Sequence, residues 1–421
     1  MVKFAKFELP QYLHGNEDRA TYVLAGSAAP SISLDELISL SSDRATTENA
    51  LKFHSLKLPL GPVQGSLGLR RAIAALYQGQ GQGHDQGEPG VPGSGPVSAP
   101  ISADHVITTP GTTGANFLVL QGLLGAADHA ICLYPTYPQL TGLVEAVAGQ
   151  VSYWAPKPED GWRPDLSELR GLIKPDGSTK VLVLNNPNNP TGWHFDRELQ
   201  RQILDLAREK GLIVLADEIF RPLFATDITP PPSFIEHDDY TKVIVTGSLS
   251  KVWGMSGVRI GWVVCRDPAI IDLLVNARQY TVQSTGVIDE AIATEVLSDR
   301  CRPALLRRHL AYQHQDLALL DAFVETNKDL VSWTRPTAGA TAFVKFSAPT
   351  REPLDDVAFC QALLDKKGVL LGPGSLCFGG NSPTDFRGYV RVHITKEPGV
   401  LQKALDLTSE FLEEYRSGQD K

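Results

Sequence analysis

Cysteine is scarce and scattered in this chain: Cys132, Cys265, Cys301, Cys360 and Cys377 are odd in number and form no Cys-x-x-Cys pair. That pattern offers neither a disulfide framework nor zinc-ligand spacing, and it fits reduced, buried thiols. No run of eighteen apolar residues occurs, so no helical membrane span is expected. The first ten residues lack the apolar stretch of a secretory signal and the last four carry no recognisable address, so a cytoplasmic location is expected. Positive charge is in deficit: 39 Lys and Arg against 48 Asp and Glu leave a net charge of −9. Such a balance speaks against nucleic acid or an anionic membrane surface as partner, yet leaves room for a local basic pocket.

What the sequence does contain is enough for more than one core. At 421 residues, 42% hydrophobic and 21% charged, it has the composition of a soluble two-domain protein. Short, β-branched apolar runs recur at 106–109, 130–134, 181–184, 213–216, 243–246 and 261–264, separated by amphipathic segments such as 198–210. Strands buried on both faces alternating with helices predict an α/β domain with a mostly parallel sheet. The pattern changes near residue 300, where a long helix over 303–327 precedes strands at 341–346 and 389–394 and a helix at 354–367, a smaller α+β unit. The expected division is 1–50, packing with the small domain, 51–298 as the large domain, and 299–421 as the small one. Residues 78–100, rich in Gly, Pro and Gln, have little to bury and read as a mobile surface insertion.

Chemistry-bearing residues cluster at strand ends. The stretch 248–262 holds one lysine, Lys251, among Ser248, Gly254, Ser256 and Gly257, with Arg259 eight positions on. A nucleophilic lysine needs its amine partly neutral, which burial or a neighbouring cation achieves; Arg259 supplies a cation that can also grip a phosphate. Pro-Gly-Thr-Thr-Gly-Ala-Asn at 110–116 joins a strand to a helical run, gathering N–H groups and hydroxyls at a helix N-terminus. An aromatic in Tyr-Pro-Thr-Tyr-Pro, 134–138, can stack on a planar heterocycle. Asp217, 28 residues after Asn189 and 34 before Lys251, ends a strand where a carboxylate can pair with a protonated ring nitrogen. Arg391, inside the apolar strand Tyr-Val-Arg-Val-His-Ile-Thr, needs an anionic partner.

Taken with the octet Asn-Asn-Pro-Asn-Asn-Pro-Thr-Gly at 185–192, these motifs resemble those of the fold-type I pyridoxal phosphate enzymes, the aminotransferase class I/II family, from about Gly61 to Arg391. The resemblance implies an α/β fold-type I architecture, with a large domain built on a mostly parallel seven-stranded sheet, and a homodimer carrying pyridoxal 5′-phosphate. It implies that Lys251 carries the cofactor and shuttles the substrate α-proton. Thr112, Thr113, Ser248 and Arg259 would hold the phosphate end, while Tyr137, Asn189 and Asp217 would hold the ring. Arg391, with Asn189 and Gly26, would bind the carboxylate of an amino acid or 2-oxo acid; no metal is implied. Arg278 is left outside this set, as a surface or helix-packing residue.

Two departures qualify the resemblance. Relatives usually carry Tyr three residues after the ring aspartate, where this chain has Phe220, and Tyr-Gly where it reads Leu60-Gly61. Losing both hydroxyls removes two cofactor hydrogen bonds, each about 0.5–1.5 kcal/mol. Transamination is the leading expectation. The alternative is a lyase, cyclase or oxidase chemistry, as in aminocyclopropanecarboxylate-synthase-like or capreomycidine-synthase-like branches. A non-catalytic cofactor-binding homologue is the third reading, opposed by the intact Lys251.

Overall fold

The computed structural model describes residues 4–78, 100–237, 239–348, 354–380 and 385–416. Most of the insertion read at 78–100 therefore lies outside the described residues. Seven strands form the larger sheet: β1 (Val106–Thr109), β2 (His129–Leu133), β3 (Gln150–Trp154), β4 (Thr179–Asn185), β5 (Ile213–Asp217), β6 (Val243–Ser248) and β7 (Gly261–Cys265). Their spatial order is β1-β7-β6-β5-β4-β2-β3. Neighbours from β3 through β6 run parallel, while β7 runs antiparallel to both β6 and β1. β3 escaped the search for apolar runs because it is an edge strand whose Gln150 is exposed, so its sequence need not be uniformly apolar.

Alternation along each central strand supplies two cores, one on each face of the sheet. Val181, Val183, Ile213 and Leu215 pack with helices α1 (Gly111–Leu123), α2 (Pro138–Val147) and α4 (Pro268–Gln279). Leu182, Leu184, Val214 and Ala216 face the opposite way, against Leu199, Ile203 and Leu206 of α3 (Arg197–Lys210). Asp196 starts α3 by accepting from the Leu199 N–H at 2.8 Å, and Gly211 ends it in the left-handed conformation.

A second, antiparallel sheet of four strands comprises β8 (Val331–Trp333), β9 (Thr341–Phe346), β10 (Gly372–Pro373) and β11 (Tyr389–His393), in the order β10-β11-β9-β8. Its core includes Leu317 and Leu320 of α5 (Arg302–Thr326), and Leu405 and Phe411 of the C-terminal helix. The N-terminal segment divides between the two cores. Tyr22–Val23 pairs in parallel with Val369–Leu370, and Leu24 enters the core of the smaller sheet. Ile32 and Leu37 instead enter the core around the larger sheet, because the chain has by then crossed to that side.

Register sets the active edge. Asn185 lies opposite Asp217, Asp217 opposite Thr246, and Ser248 opposite Gly261, so β4 and β5 end level and β6 runs two residues further beside β7. Ligands of open α/β sheets bind at such an edge. Gly261 is what allows α1 to start there: a Cβ at this position would sit 2.3 Å from the Gly111 carbonyl carbon and 2.7 Å from the Thr112 nitrogen. Gly261→Ala should push the start of α1 away from β7, costing about 1–3 kcal/mol through overpacking against backbone. Chemical denaturation should report that loss, together with weaker retention of any ligand held by the start of α1.

Candidate active site

Asp217 ends β5 and is 2% exposed. Its Oδ2 accepts from Asn116 Nδ2 at 2.9 Å and its Oδ1 from the Ile219 N–H at 3.1 Å. Burial raises its pKa to about 6, against the lowering effect of those hydrogen bonds and of Lys251. Asn116, on α1 and fully buried, is itself oriented by accepting from Thr246 Oγ1 at 2.8 Å. β6 thus fixes the amide that fixes the carboxylate.

Asn185, opposite Asp217 in register, accepts from the Asn189 N–H at 2.7 Å and donates to the Asp217 carbonyl at 3.0 Å, tying the turn after β4 to β5. Asn189 Oδ1 in turn accepts from Arg391 Nη1 at 3.1 Å. Arg391 arrives from β11 of the smaller sheet and is 1% exposed. Its Nη2 donates to the Ala25 carbonyl, and its guanidinium lies 5.2 Å from the centre of the Phe378 ring. Among the described residues no carboxylate pairs with it, and its Nε has no partner. Burial lowers its pKa to about 10, so it remains a cation in a place that calls for an anion.

Lys251, three residues past the end of β6, is half-buried and donates from Nζ to Ser27 Oγ at 3.0 Å. Its pKa is lowered to about 8, first by burial and then by the Arg391 charge, with Asp217 opposing. Gly26 packs against His393, whose Nδ1 would lie 3.6 Å from a Cβ at that position. Tyr137, at the start of α2, is half-buried and tilts against Phe7 with ring centres 5.6 Å apart.

The start of α1 supplies a third corner. No side chain caps this helix, and the Thr112 hydroxyl is buried without a partner. Thr113 is exposed one residue on. Ser248 Oγ accepts from the Ser250 N–H at 3.1 Å. Arg259 takes the left-handed backbone conformation (φ 53°), and its Nη1 donates to the Ser256 carbonyl at 2.8 Å. Its Nη2 would lie 2.6 Å from a Cβ on Gly111, so the guanidinium lies beside the start of α1. A cleft of about 380 Å³ opens here, lined in part by Thr113, Phe117, Arg259 and Arg278.

The profile of the aminotransferase class I and II family matches residues 39–406. The chain belongs to that family. It is similar to capreomycidine synthase of Streptomyces vinaceus, 29% identical over 75% of this chain and 72% of the relative. It is also similar to aspartate aminotransferase of Thermotoga maritima, 26% identical over 74% of this chain and 76% of the relative. Among solved structures, a PLP-dependent aminotransferase from Streptococcus suis superposes with a TM-score of 0.84 at 34% identity, covering 98% of this chain and 99% of the other. A PLP-dependent cyclase, OrfR, shares the fold with a TM-score of 0.78 at 23% identity, each chain covered to 98%.

This aminotransferase-family protein is an enzyme of fold type I, and its cofactor is pyridoxal phosphate. The residues present fit that cofactor. An uncapped helix start with an orphaned Thr112 hydroxyl and a neighbouring Arg259 suits a phosphate. A buried carboxylate at Asp217 suits a pyridinium, and a buried amine at Lys251 suits an aldehyde.

The structure brings Lys251, Asp217, Asn189 and Arg391 to one strand edge, and places Thr112, Thr113, Ser248 and Arg259 beside it. Phe220 is buried in the core, with Gly339 packed between it and Pro187, and Leu60 is 74% exposed. Arg278 is fully buried rather than on the surface, and its Nη1 and Nη2 have no partner. Sequence reasoning missed Asn116, Asn185, Ser27 and His393. Asn116 left one signal, a lone amide in an otherwise apolar stretch of α1, which needs a partner when buried. Asn116→Ala should raise the Asp217 pKa above about 6, because a hydrogen bond to the charged form is lost. With a larger share of the carboxyl protonated at neutral pH, infrared titration of the cofactor-free protein should show the carboxylate band appearing at higher pH than in the parent.

Proposed function

We propose that this enzyme works on an α-amino acid, exchanging its amino group with a 2-oxo acid, as a homodimer. The observation that carries the reading is the convergence of the Lys251 amine, the Asp217 carboxylate and the unpaired Arg391 guanidinium at one buried edge. Pyridoxal phosphate, when bound, supplies an electron sink for the bonds at the substrate α-carbon. Lys251 Nζ holds the cofactor aldehyde and, once released, takes and returns the α-proton. With a pKa of about 8 a useful share of the amine is neutral near physiological pH.

Arg391 receives the substrate carboxylate through the N–H groups not given to Ala25 and Asn189, beside Gly26. With the cofactor bound, Asp217 would supply a negative charge for the ring nitrogen, Tyr137 would cover the ring, and Asn189 would serve its phenolic oxygen. Thr112, Thr113, Ser248 and Arg259 take the phosphate. The dimer is supported by Leu58, Leu60, Tyr280 and Val282, large apolar side chains left exposed on one protomer, with Val282 at the mouth of the cleft by Arg259.

A second reading has specific support. Phe220 cannot donate a hydrogen bond where relatives use Tyr, and the similarity to capreomycidine synthase extends over most of both chains. In that reading the same binding and proton transfer serve elimination or ring closure.

Two measurements separate the roles and the reactions. Arg259→Ala should weaken cofactor retention by about 2–4 kcal/mol through a lost charge-assisted contact. Arg391→Ala should keep the cofactor and raise the amino-acid KM about 10–100-fold, the range for a lost hydrogen bond to a charged group. Exchanged phenotypes would show the two arginines misassigned. An amino-acid scan with and without a 2-oxo acid acceptor, followed by product analysis, tests the reaction itself. Turnover that needs no acceptor would overturn aminotransfer. In that event Phe220→Tyr should shift products toward the 2-oxo acid.

A further inference from the structure

The short stretch from Leu24 to Ser27 is tied to the site at three points. The Leu24 carbonyl accepts from the His393 N–H at 2.9 Å, the Ala25 carbonyl accepts from Arg391, and Ser27 Oγ accepts from Lys251 Nζ at 3.0 Å. Two residues on, the Ala29 N–H donates to the Lys251 carbonyl at 2.9 Å, so both ends of the lysine are bound to this stretch. Ser27 is 7% exposed. It reaches the amine from a part of the chain more than 200 residues away from the strand that carries the lysine.

A lysine amine at the end of four rotatable bonds is poorly aimed, and proton transfer requires its lone pair to face the reacting carbon. One N–H given to a fixed acceptor removes rotation about the last bond. Electrostatics do not supply this aim. Asp217, Arg391 and Arg259 act on the charge of the amine, and His393 faces it as a buried imidazole held neutral by desolvation and by the nearby cations.

We propose that Ser27 is a positioning residue for Lys251, its hydroxyl oxygen accepting one N–H of the released amine so that the nitrogen lone pair stays directed at the substrate α-carbon. Ser27 keeps its own proton throughout; the α-proton moves only to and from Lys251 Nζ. The inference rests on the reading of Lys251 as cofactor-holding and proton-carrying residue. An ammonium donates a stronger hydrogen bond than an amine, so Ser27 also favours the protonated form slightly, and its loss lowers the lysine pKa further.

The test compares the parent with Ser27→Ala and Ser27→Thr. Borohydride reduction of the holoenzyme followed by peptide mapping should place the cofactor on Lys251 in all three. In Ser27→Ala, kcat should fall about 3–10-fold, the range for one net hydrogen bond, with KM unchanged. The isotope effect with α-deuterated substrate should grow as proton transfer becomes more limiting. In the cofactor-free protein, the pH midpoint for acylation of Lys251, read by mass spectrometry, should move to lower pH. Ser27→Thr, which keeps the hydroxyl, should restore all three quantities. Trapping on Lys251 with kcat, isotope effect and midpoint unchanged in Ser27→Ala would overturn the proposal. So would a rise in KM common to both variants with no change in isotope effect, since that would mean the stretch only packs against Arg391. Failure to trap the cofactor on Lys251 in the parent would instead overturn the underlying reading of the lysine.

Discussion

A buried carboxylate acting on a lysine that a buried arginine also acts on is the constraint on which the rest of the site depends. Arg391 is buried and Lys251 half-buried, the two cations repel each other, and burial is the first cause lowering the pKa of each. Asp217 is the counterweight, since its charge raises the lysine pKa while Arg391 and desolvation lower it. Burial of the carboxylate carries its own cost, visible in a pKa raised to about 6, and Asn116 and the Ile219 N–H offset part of it. The balance leaves a lysine with a pKa of about 8 that can carry a proton in either direction.

That balance needs geometry that no local motif supplies. Parallel pairing in register brings the ends of β4 and β5 level with Thr246, two residues before the end of β6, so Asn185, Asp217 and Thr246 form one row of polar groups. The row is cross-braced by Asn116 from α1 and by the turn containing Asn189. The smaller sheet then inserts Arg391 from β11 against Asn189, so this unpaired cation belongs to a different core from the lysine it faces. Hydrogen bonds from the stretch at residues 24–27 are among the contacts that join the two cores.

The family supports more than one chemistry, and this chain is similar both to an aminotransferase and to capreomycidine synthase. Under the proposed function, one set of residues binding the carboxylate, holding the cofactor and moving one proton serves either chemistry. Phe220, where the resemblance expects Tyr, is the difference on which the second reading of the function rests.

The strand edge and its chemistry were legible in the order of residues alone. Short β-branched runs at 181–184, 213–216 and 243–246 marked strands buried on both faces. The Asn-Pro octet, the Lys251 segment and Arg391 marked the family, because those signals are local and dense. The two blocks of elements that build the two sheets were legible for the same reason. The supporting contacts, by contrast, came into being only on folding. Asn116 became a partner of Asp217, Ser27 of Lys251 and Ala25 of Arg391 across separations of 101, 224 and 366 residues. Arg278, read as a surface or helix-packing residue, is buried on α4. The edge strand β3 was illegible for a related reason: half exposed, it carries no obligation to be apolar. Residue type reports burial and local geometry, and can show that a buried polar group needs a partner, whereas which distant group becomes that partner is decided only by packing.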